Sequence, residues 1–123
     1  MKVGLLYVAA AITALWGIAH LFATTGVVQG FGDLTEDNRR IITMEWIAEG
    51  VALVSTAAFV AAATMTAPTS AAASAVYAVA IGTLVTLAVV SLFTGFKIAF
   101  LPFRLCPLIF GLSAALIAIG AWL

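Results

Sequence analysis

Four apolar stretches, each long enough to cross a lipid bilayer, constrain this chain more than any other feature of its sequence. A helical span needs about 20 mostly apolar residues, and short connections make consecutive helices antiparallel neighbours. The stretches are separated by short segments that contain glycine, proline or charged residues. The sequence therefore predicts an all-α fold, a single integral membrane domain built as an up-down bundle of four transmembrane helices, with spans at about 3–25, 36–64, 75–94 and 105–123.

The scarcity of charge excludes a water-soluble domain. Only 8% of the 123 residues are charged and 65% are hydrophobic, whereas a soluble domain carries about 25% charged residues. Five basic and five acidic side chains balance to zero and form no basic run, which argues against nucleic acid as a partner. The lipid bilayer is the expected surrounding. The one cysteine, Cys106, excludes a disulfide within the chain.

Turn and capping residues indicate where the helices begin and end. Gly30 to Asp33 reads as a turn, and Thr35 is a good N-cap for the second span, with acidic residues following it in the first turn. Pro68 interrupts the helical pattern before the third span. Pro107 is expected in the first turn of the fourth span, where a missing backbone N–H costs nothing.

The basic residues predict the orientation in the membrane. Loops one and three lie on the same side of an up-down bundle. Together with the start of the second span they carry Arg39, Arg40, Lys97 and Arg104, whereas the other side has only Lys2. By the positive-inside rule, loops one and three are cytoplasmic and both termini lie outside.

Two carboxylates in the second span are the main functional signal. Glu45 and Glu49 are four residues apart, a spacing that stacks side chains on one face of a helix. An ionisable residue inside a span costs about 2.5–3.5 kcal/mol on insertion scales and is by default a functional-site hypothesis. His20, the one histidine of the chain, is expected at a similar depth on the first span. His20 and Glu49 are therefore the candidates for acid/base chemistry.

Other polar and aromatic residues are expected at the same end of the bundle, close to loops one and three. The sequence thus predicts a polar pocket at this end. Its candidate ligand-binding residues are Trp16, His20, Glu45, Trp46, Glu49, Lys97 and Arg104.

Several kinds of chemistry fit this set. Glu45 could simply form an ion pair with a nearby basic residue. His20, Glu45 and Glu49 could supply one nitrogen and two carboxylate ligands to zinc or iron. The pocket could instead hold an amphipathic molecule such as a quinone or a sterol-like compound, with His20 or Glu49 handling a proton. In a further alternative, an oligomer would use Glu49 for proton-coupled transport. An intramembrane acid/base enzyme is the last alternative, and no cofactor is named by the residues.

The chain resembles the DoxX-like group of small bacterial four-helix membrane proteins. The resemblance rests on its size, its four spans and a first span that ends in LWGIAHLF, and it covers the first half of the chain. It implies an accessory or redox-linked membrane subunit, and some members of the group are associated with quinone-coupled oxidoreductases. No functional residue is carried over from the group.

These observations favour a membrane protein that binds a small amphipathic ligand or serves as an accessory subunit. Four spans made from 123 residues bury little surface by themselves, so we expect a homo-oligomer or a subunit of a larger membrane complex. The main alternative is an oligomeric transporter or channel. A pocket closed to one side within each protomer would favour binding, and a water path across the bilayer would favour transport.

Overall fold

The computed structural model describes residues 1–123 and consists of four long helices joined by short connections. All four are long and apolar enough to cross a membrane, which confirms the predicted all-α bundle. The helices are α1 (Val3–Gly30), α2 (Glu36–Thr66), α3 (Ala71–Phe93) and α4 (Leu101–Trp122), with a short 3₁₀ turn at Gly95–Lys97.

Two helices are longer than a bilayer span requires. α1 continues to Gly30, five residues past the predicted end of its span, and stops where Gly32 adopts a positive φ of 74°. The 31 residues of α2 make a helix about 46 Å long, against a hydrocarbon thickness of about 30 Å. Hydropathy thus locates the spans, whereas the helix ends are set by the residues that interrupt the backbone pattern.

Side-chain caps fix two of the helix starts. The Thr35 hydroxyl oxygen accepts a hydrogen bond from the backbone N–H of Asn38 at 3.3 Å, as predicted for the start of α2. The Ser70 hydroxyl oxygen accepts from the N–H of Ala73 at 3.0 Å. This second cap starts α3 at Ala71, four residues before the predicted span.

The prediction for Pro107 is wrong. Pro102 occupies the first turn of α4, and Pro107 lies in the helix interior. Because Pro107 has no N–H, it cannot donate to the carbonyl of Phe103. The earlier start of α4 adds a helical turn next to loop three. Pro102 and Phe103 of this turn line the candidate site.

Each helix packs against two others, and α1 contacts α2 and α4. The largest fully buried side chains, which come from all four helices, include Leu6, Leu53, Tyr77 and Phe110. At the end that carries the chain termini, α1 and α4 lie close together. There the backbone N–H of Lys2 donates to the carbonyl of Gly120 at 2.7 Å.

Large apolar side chains cover the outside of the bundle. Phe22 is 88% exposed and Val79 is 70% exposed, an arrangement that suits lipid and not water. Loops one and three lie at the same end of the bundle, as four antiparallel helices require. Which side of the membrane they face stays a prediction.

A buried hydrogen bond connects α2 to α3, the two neighbours with the least mutual packing. The hydroxyls of Thr64 and Tyr77 are 3.1 Å apart, and the Thr64 hydroxyl also donates to the Val60 carbonyl at 2.7 Å. We expect Tyr77→Phe to lower the free energy of unfolding by about 0.6–1.7 kcal/mol, the range measured for such bonds between membrane helices. Unfolding in detergent mixtures, followed by circular dichroism, measures this loss. Thr86→Val is the control, because Thr86 is exposed and bonds only to its own helix; an equal loss in both variants would contradict the prediction.

Candidate functional site

A cleft of about 800 Å³ lies between α1 and the start of α4, and we call it the α1–α4 cleft. It lies at the loop-one and loop-three end of the bundle, and Trp46 of α2 closes part of its floor. Its size is within the range of about 300–1,000 Å³ typical of small-molecule sites. The lining residues are Trp16, Ala19, His20, Ala23, Gly26, Val27, Gly30, Phe31, Trp46, Ile98, Phe100, Pro102, Phe103, Leu105 and Cys106.

The α1 wall of the cleft is made largely of small residues. Ala19, Ala23, Gly26 and Gly30 recur every three or four positions and line the cleft along one face of the helix. From Trp16 to Gly30 this wall is about 21 Å long at 1.5 Å per residue. The cleft is therefore elongated along the membrane normal and has room for a narrow molecule.

The rings of three side chains, His20, Trp46 and Phe103, pack together at the inner part of the cleft. The rings of His20 and Trp46 stack with centroids 4.8 Å apart, and Trp46 meets the Phe103 ring edge-on at 5.4 Å. The Trp46 Nε1–H donates to the His20 backbone carbonyl at 2.7 Å. Trp46 thus connects α2 to both α1 and α4, and it fixes the floor on which a ligand would rest.

His20 is held by two polar partners. Its Nδ1 lies 3.0 Å from the Trp16 carbonyl oxygen, and since a carbonyl only accepts, Nδ1 carries a hydrogen. Its Nε2 lies 3.6 Å from a Glu49 carboxylate oxygen, with 6% of the His20 side chain and 35% of the Glu49 side chain exposed. This separation is too long for a direct hydrogen bond. The two groups therefore face each other without a direct hydrogen bond.

Trp16 and Cys106 mark the inner end of the cleft, where α1 and α4 come together. The Cys106 thiol lies against the Trp16 indole and is 3.6 Å from the Pro102 carbonyl, to which it donates. The Trp16 Nε1–H is buried without a hydrogen-bond acceptor. Nothing in this geometry marks the thiol as reactive, because it is buried.

Of the seven residues predicted to line a pocket, three line the α1–α4 cleft and four do not. Trp16, His20 and Trp46 line the cleft, whereas Glu45, Glu49, Lys97 and Arg104 do not. Glu49 reaches the cleft only through His20.

The other predicted charges point away. Glu45, Lys97 and Arg104 are exposed, and none of them takes part in an ion pair within the chain. Arg104 instead lies over the ring of Phe96, 5.3 Å from its centroid. The expectation that Glu45 pairs with a nearby base is therefore wrong; the exposed pair at this end is Arg40 with Glu36, at 3.1 Å.

The metal interpretation does not fit the side-chain positions. No group of three or more His, Cys, Asp or Glu side chains lies close enough together to hold a metal ion. His20 and Glu49 meet, but Glu45 lies on the exposed surface of α2. The proposed set of one nitrogen and two carboxylates is therefore not assembled.

Sequence reasoning missed most of the apolar lining. Ala19, Ala23, Gly26 and Phe103 were not singled out, although the recurrence of small residues at helical spacing on the first span is visible in the sequence. Small residues at this spacing let another group approach a helix closely. This signal could have identified the α1 wall.

The comparisons with known proteins provide no relative from which a role could be transferred. No protein-family model matches the chain, and no curated protein and no solved structure shows significant similarity to it. The resemblance to the DoxX-like group stays a prediction. Function is therefore argued from the residues of the cleft.

Proposed function

We propose that this protein binds a small, elongated amphipathic molecule in the α1–α4 cleft. The observation that carries the proposal is the cleft itself: about 800 Å³, lined mainly by apolar and aromatic side chains, with His20 at its inner part. Ligand sites are typically built in this way, from an apolar wall and a few placed polar groups. A quinone is one molecule of this kind.

The position of the cleft supports binding over transport. Its lining lies at one end of the bundle: residues 16–31 on the α1 side, residues 98–106 on the α4 side, and Trp46 of α2. At the opposite end α1 and α4 are in contact through Lys2 and Gly120. A site closed toward one side suits a molecule that enters and leaves by the same route. His20, with Glu49 behind it, could exchange a proton with such a molecule.

Filling the cleft should remove the ligand. We expect native mass spectrometry of the detergent-purified protein to show a retained small molecule that Ala23→Phe loses, because a phenyl group at Ala23 would occupy the middle of the α1 wall. Ala23 is exposed, so the larger side chain meets no packed neighbour. Ala11→Phe is the matched control, because Ala11 is also exposed on α1 but lies outside the cleft.

Two results would contradict the proposal. One is a wild-type protein that retains nothing and binds no added quinone; the other is equal retention by the Ala23→Phe and Ala11→Phe variants. If Ala23→Phe lowers the yield of folded protein, Ala19→Leu narrows the same wall with fewer atoms.

We also propose that the chain works as a homo-oligomer or as a subunit of a larger complex. Glu45 is exposed on α2 without an ion-pair partner, and the small residues Ala48 and Ala52 are exposed next to it. Other small residues, Ala10, Ala57 and Ala114, are instead buried inside the bundle. A carboxylate on the lipid-facing side of a span is costly, which favours its cover by another subunit. The same mass spectra report the number of copies.

A further inference from the structure

The gap between α1 and α4 widens from one end of the bundle to the other. At the terminal end a Cβ added to Gly120 would lie 3.0 Å from the side chain of Leu6, so the helices are in close contact. Halfway along, Trp16 packs against the buried core that contains Cys106. Beyond these two residues the α1–α4 cleft lies between the helices. The gap is thus a wedge that opens toward loops one and three.

The side of this wedge faces lipid. Ala19 and Ala23 line the cleft and are at the same time exposed, and both lie inside the apolar stretch that predicts the first span. Their neighbour Phe22 is 88% exposed and projects from the outer surface of the bundle. Because the small residues leave the gap uncovered, a molecule dissolved in the bilayer can reach the cleft without passing through water.

The lining also restricts the charge of the ligand. No Asp, Glu, Lys or Arg side chain lines the cleft, and Lys97 and Arg104 are exposed outside it. His20 is already engaged by the Trp16 carbonyl and by Glu49. A charged group inside the cleft would therefore lose its hydration without gaining a counter-ion, a loss that apolar surroundings make costly.

We propose that the cleft admits its ligand sideways from the bilayer, through the gap between α1 and α4, and that this ligand is an uncharged amphiphile. The inference rests on the proposed binding function and adds the source and the charge class of the ligand. Its recognition would come from the narrow apolar wall and the ring floor at Trp46, with no ionic contact.

Trp46 is a natural reporter because it forms the floor of the cleft. With Trp16→Phe and Trp122→Phe in place, it is the one remaining tryptophan. The protein is placed in phosphatidylcholine nanodiscs. Its fluorescence is then quenched either by brominated acyl chains of the lipid or by iodide in the water. We expect quenching by the brominated lipid, little quenching by iodide, and a reduced lipid effect in Ala23→Phe but not in Ala11→Phe.

The charge class is tested with dibromostearyl alcohol and dibromostearate, at a pH at which the acid is ionised. We expect the alcohol to reach half-maximal quenching at a concentration at least about tenfold lower than the acid. A tenfold difference corresponds to about 1.4 kcal/mol of binding free energy. Equal potency of the two compounds would overturn the uncharged class. Quenching by iodide but not by the brominated lipid would overturn entry from the bilayer.

These failures differ from a failure of the proposed function. If the brominated compounds quench Trp46 equally in the Ala23→Phe and Ala11→Phe variants, the cleft is not the binding site and both proposals fall. If Ala23→Phe but not Ala11→Phe blocks quenching, and the two compounds are equally potent before the substitution, binding in the cleft stands and the charge class falls. The wild-type nanodisc measurement, with all three tryptophans present, checks that the reporter variant binds like the native chain.

Discussion

Gly17→Ala is expected to destabilise the protein by about 1–3 kcal/mol, the usual cost of forcing extra atoms into a packed contact. α1 and α2 cross at Gly17 and Gly50 with their backbones in contact. A Cβ added to Gly17 would lie 2.9 Å from the Gly50 carbonyl oxygen and 2.9 Å from the Cβ of Leu53. Neither atom is the end of a flexible side chain, so the two helices must move apart. Small residues at such crossings are what lets membrane helices approach closely.

The contact is reciprocal, which gives a second variant. A Cβ added to Gly50 would lie 3.0 Å from the Gly17 carbonyl oxygen and 2.7 Å from Leu21 Cδ2. Because the Leu21 side chain can turn away, we expect Gly50→Ala to cost less than Gly17→Ala, and Gly17→Leu to cost more than either. Resistance to unfolding by detergent, followed by circular dichroism, orders the three.

Gly82→Ala is the control for backbone effects. Gly82 lies in α3, and a Cβ added there meets nothing within 4 Å. Alanine is the better helix former by roughly 0.5–1 kcal/mol, so this variant should be as stable as the wild type or slightly more stable. A Gly17→Ala protein that behaves like Gly82→Ala would show that the two helices are not in backbone contact.

The crossing at Gly17 also shows what the sequence could not provide. Isolated glycines within the first and second apolar stretches are visible, but which glycine meets which depends on the relative rotation of two helices. Alanines recur at helix-packing spacing in the second stretch, and yet Ala48 and Ala52 are exposed. The periodicity of a sequence shows which residues share one face of a helix. Which face of a second helix they pack against is known only from the packed bundle.

The helices themselves were predictable because their signals are local. Hydropathy located all four spans, and Thr35 identified the start of α2 through a cap that involves only neighbouring residues. The prediction for Pro107 was wrong because both prolines suit a first helical turn, and Pro102 occupies it. With the start at Leu101, Phe103 is part of α4 and lines the cleft together with Cys106. A helix that started at 105 would not include Phe103.

For the site residues, position along the bundle axis could be predicted from the sequence. The direction in which each side chain projects from its helix could not. Trp16, His20 and Trp46 were expected in a pocket and line one. Arg104 was expected there as well, but it lies two residues from both Pro102 and Cys106. Because each residue turns a helix by about 100°, a separation of two directs a side chain to the opposite side. Arg104 therefore faces outward while its neighbours line the cleft.

The second large effect concerns the pair of His20 and Glu49, for which we expect a coupling free energy of about 1–3 kcal/mol. His20→Phe keeps an aromatic ring against Trp46 but leaves the Glu49 carboxylate without its partner. An unpaired acid within a span is costly, so this variant should lose the most stability. Adding Glu49→Gln should recover part of the loss, because the double variant has no unpaired charge. The double-mutant cycle separates the coupling free energy of His20 and Glu49 from the effect of the change in ring volume at position 20.

The chain contains a matched control for the cycle. Glu36 and Arg40 also form an acid–base pair, at 3.1 Å, but their side chains are 65% and 72% exposed. Exposed pairs of this spacing contribute about 0.3–0.5 kcal/mol. A coupling for His20 and Glu49 no larger than that of Glu36 and Arg40 would contradict the prediction, and Glu49 would then be an acid that simply reaches the headgroup layer.

The tautomer of His20 can be measured by ¹⁵N NMR, because His20 is the one histidine in the chain and gives a single set of imidazole signals. In Glu49→Gln we expect a neutral ring with its hydrogen on Nδ1, since that atom faces the Trp16 carbonyl. Since His20 lines the cleft and Glu49 lies behind it, a proton would pass between a ligand and Glu49 by way of His20. A neutral ring protonated on Nε2 in the variant would show that the Trp16 carbonyl does not hold His20, and the route from Glu49 to the cleft would be lost with it.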